Sequence, residues 1–141
     1  MPLLPKAARA ALHFWEEPCI SGRCGSGTVF FSGCNLECAF CQNYGVSHMG
    51  IGKPITYERL ADIFKELEEK GAENINLVTP SHYWHAVIRA LEIYKPDIPI
   101  VYNTGGYDTV NAVRALKGYI DIYLTDLKYL TADRAKIYSG A

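Results

Sequence analysis

Apolar residues along this chain fall into two recurring patterns that alternate. Short apolar runs at residues 28–31, 75–78, 100–102 and 120–127 read as strands. Between them, Leu60, Ile63, Phe64 and Leu67 recur at i, i+3, i+4 and i+7, and Trp84, Val87, Ile88 and Leu91 repeat that stripe. Val110, Val113 and Leu116 carry a third, shorter one. Each predicts a helix with one buried face. Punctuation supports the boundaries: Thr56 is a good N-cap and Gly71 a stop, Pro96 and Pro99 end the second helix, Asp108 caps the third and Gly118 stops it. Thr131 begins a last helix. Strands alternating with helices predict right-handed βα units around a parallel sheet or barrel.

The first residues read differently. Residues 7–12 form an alanine-rich helical turn by propensity, residues 13–18 an extended segment stopped by Pro18, and residues 21–27 a glycine-rich loop. Residues 47–54 read as a linker. Its Gly50-Ile51-Gly52-Lys53 lacks the full glycine pattern of a phosphate loop and follows no strand.

The chemistry lies just after the first strand. Cys34, Cys38 and Cys41, spaced x3 then x2, are too close for a disulfide framework and too regular for ordinary core residues. Gly33 permits the turn that swings Cys34 over the strand end. A closed structural zinc or iron–sulfur site wants four protein ligands, whereas three leave one coordination position for a non-protein ligand. With His48, the same cysteines make a Cys3His zinc site, the alternative reading. Cys19 and Cys24 are read as structural.

The C-x3-C-x2-C spacing, with Phe40 before the last cysteine, resembles the signature of the radical S-adenosylmethionine enzymes. The longer runs Ser32-Gly33-Cys34-Asn35-Leu36 and Cys41-Gln42-Asn43-Tyr44 resemble pyruvate formate-lyase activating enzymes and their uncharacterised relatives. The resemblance implies that the three thiolates hold a [4Fe–4S] cluster whose fourth iron is chelated by S-adenosylmethionine. One electron then cleaves the sulfonium to methionine and a 5′-deoxyadenosyl radical. It implies a partial (β/α) barrel with six strands and outer helices, of which this chain supplies about four parallel strands. Residues 1–141 therefore read as one incomplete domain: an N-terminal segment and loop (1–27), then βα repeats (28–141) with the cluster loop at 32–44.

In α/β barrels the working residues come from the C-terminal ends of strands. At the fourth strand Ile122 and Leu124 share a face with Asp126 and Lys128, so an apolar face turns charged at the active end. A similar Asp-Leu-Lys run in the family contacts S-adenosylmethionine, which makes Asp126 and Lys128 cofactor residues by resemblance, Lys128 facing the ligand carboxylate. The third exit, Tyr102 to Gly106, resembles an Asp-Thr-Asn-Gly run with Tyr102 in the aspartate's place; Asn103 and Thr104 are expected as polar contacts. At the second exit Thr79-Pro80-Ser81-His82 replaces Gly-Gly-Glu, and Thr79 and Ser81 still offer hydroxyl acceptors. His82 is open between a proton carrier and a structural histidine; His85 and His13 are read as structural.

Composition changes this picture little. An apolar fraction of 49% supplies a real core, and a formal charge of −1 with scattered basic residues argues against a nucleic-acid footprint or docking on anionic membrane. No spanning helix or signal peptide is read, which places the chain in a reducing cytoplasm. The resemblance implies a glycyl-radical enzyme as target and a flavodoxin or ferredoxin as electron donor. A small-molecule substrate, a non-catalytic zinc module and an inactive truncated form are the alternatives.

Overall fold

A computed structural model describes residues 4–141. One six-stranded sheet runs in the order β3-β1-β2-β4-β5-β6. Its strands are β1 (Lys6–His13), β2 (Ser26–Phe31), β3 (Lys53–Pro54), β4 (Ile75–Val78), β5 (Ile100–Thr104) and β6 (Ile122–Thr125). The four expected parallel strands are β2, β4, β5 and β6, and β1 and β3 extend the sheet in the antiparallel sense. The result is a partial βα barrel that does not close.

Helices α3 (Tyr57–Glu69) and α4 (Trp84–Ile93) pack on the outer face of the sheet. Leu60, Phe64 and Leu67 of α3 interlock with Val29, Ile75, Leu77 and Ile100 in one buried cluster. Truncating Phe64 there would cost about 3–5 kcal/mol. Thr56 caps α3 as expected, its hydroxyl accepting from the Arg59 amide at 3.1 Å. On α4 the buried stripe is Ala86, Val87, Ala90 and Leu91, with Trp84 and Ile88 at its half-buried margin.

The strand register gives each face an identity. Val29, Leu77 and Tyr102 pair in one row and point at the helices, while Phe30, Val78, Asn103 and Leu124 pair in the next row and point to the inner side. The inner face is where a barrel's ligands gather.

Several expectations are corrected. Residues 7–12 are strand, because pairing with β2 from Ala7 to His13, around a bulge between Ala7 and Arg9, satisfies more backbone than an isolated alanine turn can. Pro18 does not stop an extended segment; it opens a four-residue helix, α1 (Pro18–Ser21), where its missing N–H costs nothing. The residue 47–54 linker contains the end of α2 (Tyr44–Ser47) and the edge strand β3. Thr109, not Asp108, caps α5 (Val110–Ala115). Asp108 instead accepts from the Tyr102 hydroxyl at 2.8 Å and the Thr104 hydroxyl at 2.5 Å. Val110 and Val113 are exposed and Leu116 alone of that stripe is fully buried. Helix α6 (Ala132–Ser139) follows Thr131 and returns to the cysteine loop.

Candidate iron–sulfur and cofactor cleft

The cysteine loop leaves β2 at Phe31 and turns at Gly33, whose φ of 83° lies in the left-handed region that glycine tolerates. Two supports hold that turn. The Gly33 amide donates to the Val46 carbonyl at 2.9 Å, and His82 Nε2 meets the Ser32 carbonyl at 2.8 Å. Burial holds the His82 ring below its ordinary 6.5, against the opposing pull of that carbonyl, so the neutral ring donates through Nε2 while buried Nδ1 has no partner among the described residues. His82 thus buttresses the loop.

The three thiols open on one cleft of about 550 Å³, within the 300–1,000 Å³ range of small-molecule sites. Phe40 stands at its rim, 58% exposed. Thr79 from the β4 exit, Asn103 and Thr104 from β5, and Asp126 and Lys128 from the β6 exit line the same cleft. Ser81 does not line it; its hydroxyl lies 3.0 Å from the Thr104 hydroxyl and supports that residue from behind. Tyr102 faces the helix layer and is fully buried, with burial and Asp108 both pushing its phenol up. Tyr102 therefore offers the cleft nothing, and Asn103 is the first β5 side chain to reach it.

Each sulfur has a hydrogen-bonding neighbour. The Leu36 amide donates to Cys34 Sγ at 3.3 Å, Ser139 Oγ donates to Cys38 Sγ at 2.9 Å, and Ser47 Oγ lies 3.1 Å from Cys41 Sγ. Burial, with the neighbouring Cys38 and Cys41, raises the Cys34 thiol against the pull of the Leu36 amide. Among the described residues no three His, Cys, Asp or Glu side chains gather closely enough to surround one metal ion. Three thiols that line one cleft and leave one side of it open supply the donor chemistry that an iron–sulfur cluster with a non-protein ligand takes. His48 Nδ1 lies 2.8 Å from Ser47 Oγ, and the ring stacks on Tyr44.

Across the cleft the Lys128 ammonium donates to Asp126 at 2.5 Å. Burial lowers its pKa, but the hydrogen bond and charge of Asp126, aided by Cys38 and Tyr129, outweigh this and leave it raised. Lys128 is thus cationic at neutral pH. Gly105 permits this placement: a Cβ there would stand 3.0 Å from Leu36 and 3.4 Å from the Lys128 side chain.

Thr79 carries the sharpest backbone feature. Its φ of 56° makes it the one non-glycine residue in the left-handed region among the described residues. For a β-branched side chain that conformation is an outlier, held here by its amide, which still donates to the Asn103 carbonyl at 2.9 Å, and by the turn that starts at Pro80.

Glu16 was not singled out from the sequence, yet it lines the cleft. Its carboxylate accepts from Asn76 Nδ2 at 3.0 Å and Asn103 Nδ2 at 3.3 Å, on the inner face of β4 and β5. These partners lie 60 and 87 residues away in the chain, so no local pattern could have found it. His13 also lines the cleft, packed edge-on to Phe30, whereas Cys19, Cys24 and His85 do not. Both of those cysteines are exposed.

Comparison with known proteins adds a family. Residues 28–141 match the family described as the Radical SAM superfamily. An uncharacterized protein of Methanocaldococcus jannaschii is 34% identical over 127 residues, an alignment covering 84% of this chain and 36% of that protein. The pyruvate formate-lyase-activating enzyme of Clostridium pasteurianum is 30% identical over 122 residues, covering 79% of this chain and 49% of the enzyme. The chain thus spans about half or less of the length of these curated relatives.

Proposed function

This chain belongs to the Radical SAM superfamily, and we propose that it reductively cleaves S-adenosylmethionine at a [4Fe–4S] cluster held by Cys34, Cys38 and Cys41. The observation that carries the reading is the convergence, on one cleft at the C-terminal ends of the parallel strands, of three thiols and the Lys128 ammonium. When bound, the cluster and S-adenosylmethionine supply one electron and a sulfonium whose cleavage yields a 5′-deoxyadenosyl radical.

The chain's own residues have simpler tasks. Lys128, fixed by Asp126, meets the ligand's carboxylate with a charge-assisted hydrogen bond. Asn103 and the hydroxyl of Thr79 supply polar contacts, while the Thr104 hydroxyl, held by Asp108 and Ser81, fixes the β5 exit behind them. Phe40, at the rim of the cleft, is placed to meet the cofactor, and Leu36 is buried within the cysteine loop. No side chain need serve as general acid or base.

The substrate class we favour is a backbone glycine of a glycyl-radical enzyme, on the similarity to the Clostridium pasteurianum activating enzyme, with a flavodoxin or ferredoxin as electron donor. The test is anaerobic reconstitution of the protein, analysis for iron and acid-labile sulfide, and EPR of the dithionite-reduced protein with and without S-adenosylmethionine. A reduced-cluster signal that changes on adding the cofactor, followed by 5′-deoxyadenosine release, is expected. Stoichiometric zinc without iron or sulfide would refute it. A glycyl-radical EPR signal on a candidate partner tests the substrate assignment, and cofactor turnover without that signal across candidate partners counts against it.

A further inference from the structure

The second cysteine has a partner from the far end of the chain. Ser139, the last residue of α6 and fully buried, places its hydroxyl oxygen 2.9 Å from Cys38 Sγ across 101 residues of sequence. The Tyr129 hydroxyl lies 2.7 Å behind it. The backbone on either side of Cys38 is tied to the same helix end, with the Glu37 amide donating to the Ser139 carbonyl at 2.8 Å and the Ala39 amide to the Tyr138 carbonyl at 2.9 Å. Cys38 is therefore gripped by two main-chain bonds and one side-chain hydroxyl.

Ligation fixes the direction of that hydroxyl bond. An iron-bound cysteine is a thiolate and can only accept, so Ser139 must donate, and its oxygen is left to receive the proton of Tyr129. Two donors in series then point at one sulfur in a site sheltered from water, where a hydrogen bond is stronger than in solvent. The other sulfurs are held differently. Cys34 has a main-chain amide at 3.3 Å. Ser47, beside Cys41, also has His48 Nδ1 at 2.8 Å, but the Asn43 carbonyl at 3.0 Å competes with the sulfur for its single proton.

We propose that Ser139, backed by Tyr129, is a positioning residue that sets the reduction potential of the iron–sulfur centre by donating to the Cys38 sulfur. The inference rests on the cluster reading above. Reduction adds negative charge shared by the ligand sulfurs, so a donor to one of them stabilises the reduced state more than the oxidised one and raises the potential.

The experiment is an EPR-monitored redox titration of the anaerobically reconstituted chain without S-adenosylmethionine, comparing wild type with Ser139→Ala, Ser139→Thr and Tyr129→Phe. Ser139→Ala is expected to move the midpoint to more negative potential and Ser139→Thr to restore it. Tyr129→Phe is expected to give a smaller shift of the same sign. A full complement of iron and sulfide in Ser139→Ala with an unmoved midpoint overturns the inference while leaving the cluster reading intact. Should Ser139→Ala hold no cluster, Tyr129→Phe decides, since it keeps both main-chain ties and the serine: a negative shift supports the assignment and none overturns it. A wild-type chain that takes up no iron and sulfide sinks the cluster reading, and this inference with it.

Discussion

Thr79→Gly is expected to stabilise the fold while weakening the cleft. Thr79 has a φ of 56°, and an L-residue in that region costs roughly 1–2 kcal/mol, more when β-branched. Glycine removes that strain but adds about 0.5–1 kcal/mol of conformational freedom to the unfolded chain. Among the described residues no hydrogen bond of the Thr79 hydroxyl offsets the difference, so the net gain is about 1 kcal/mol, or roughly 3–5 °C in Tm for a domain of this size. Urea denaturation of the apo chain should show a higher midpoint with an unchanged slope. In the same variant, affinity for S-adenosylmethionine on the reconstituted protein should fall, because a cleft-lining hydroxyl is lost. Thr79→Val separates the two effects, keeping the strain and losing the hydroxyl: stability near wild type, affinity reduced. A glycine variant no more stable than wild type would refute the strain, and unaltered affinity in both variants would remove Thr79 from the cofactor contacts.

Replacing Lys128 by Met should weaken S-adenosylmethionine binding roughly 10- to 100-fold, the worth of about 1.5–3 kcal/mol for a hydrogen bond to a charged group; equilibrium dialysis against the reconstituted protein measures it, and a loss under threefold rejects the role. For His82, burial depresses the folded pKa below its ordinary 6.5, so the unfolded chain binds the proton first as pH falls. Stability should be full above pH 6.5 and decline as pH drops from there toward the folded pKa. The His82→Gln variant, which keeps a donor for the Ser32 carbonyl, should lose that component of the decline; an identical pH profile for the two proteins would refute it. Glu16→Ala removes the one side-chain partner that the Asn76 amide has among the described residues, where its buried Oδ1 is already unpaired. It should destabilise the chain by about 1–3 kcal/mol in urea titration, and a change near zero would show that water replaces the carboxylate freely.

Local pattern carried much of this molecule. The stripe from Leu60 to Leu67, its Thr56 cap and the apolar run at Ile75–Val78 have the register their periods imply, because a side chain's direction on a helix or strand follows from spacing alone. That the three cysteines and the exits at Thr79, Asn103 and Lys128 would face one cleft was equally legible, since strands that run parallel must present their C-terminal ends on one side. What pairing across the chain decides was not. Residues Lys6–His13 have an alanine-rich composition that favours helix, yet antiparallel pairing with β2 makes them a strand. Asp108 has the chemistry of a helix cap, but two hydroxyls brought to it from β5 engage its oxygens and leave capping to Thr109. Glu16 reaches Asn76 and Asn103, and Ser139 reaches Cys38, only because the sheet and α6 carry them there over 60 to 101 residues. The sequence by itself determined which residue types line the candidate site and which strands carry most of them. Only the tertiary structure decided which polar groups stand behind the thiols and the cleft, because a hydrogen bond between distant residues leaves no periodic trace in either partner's neighbourhood.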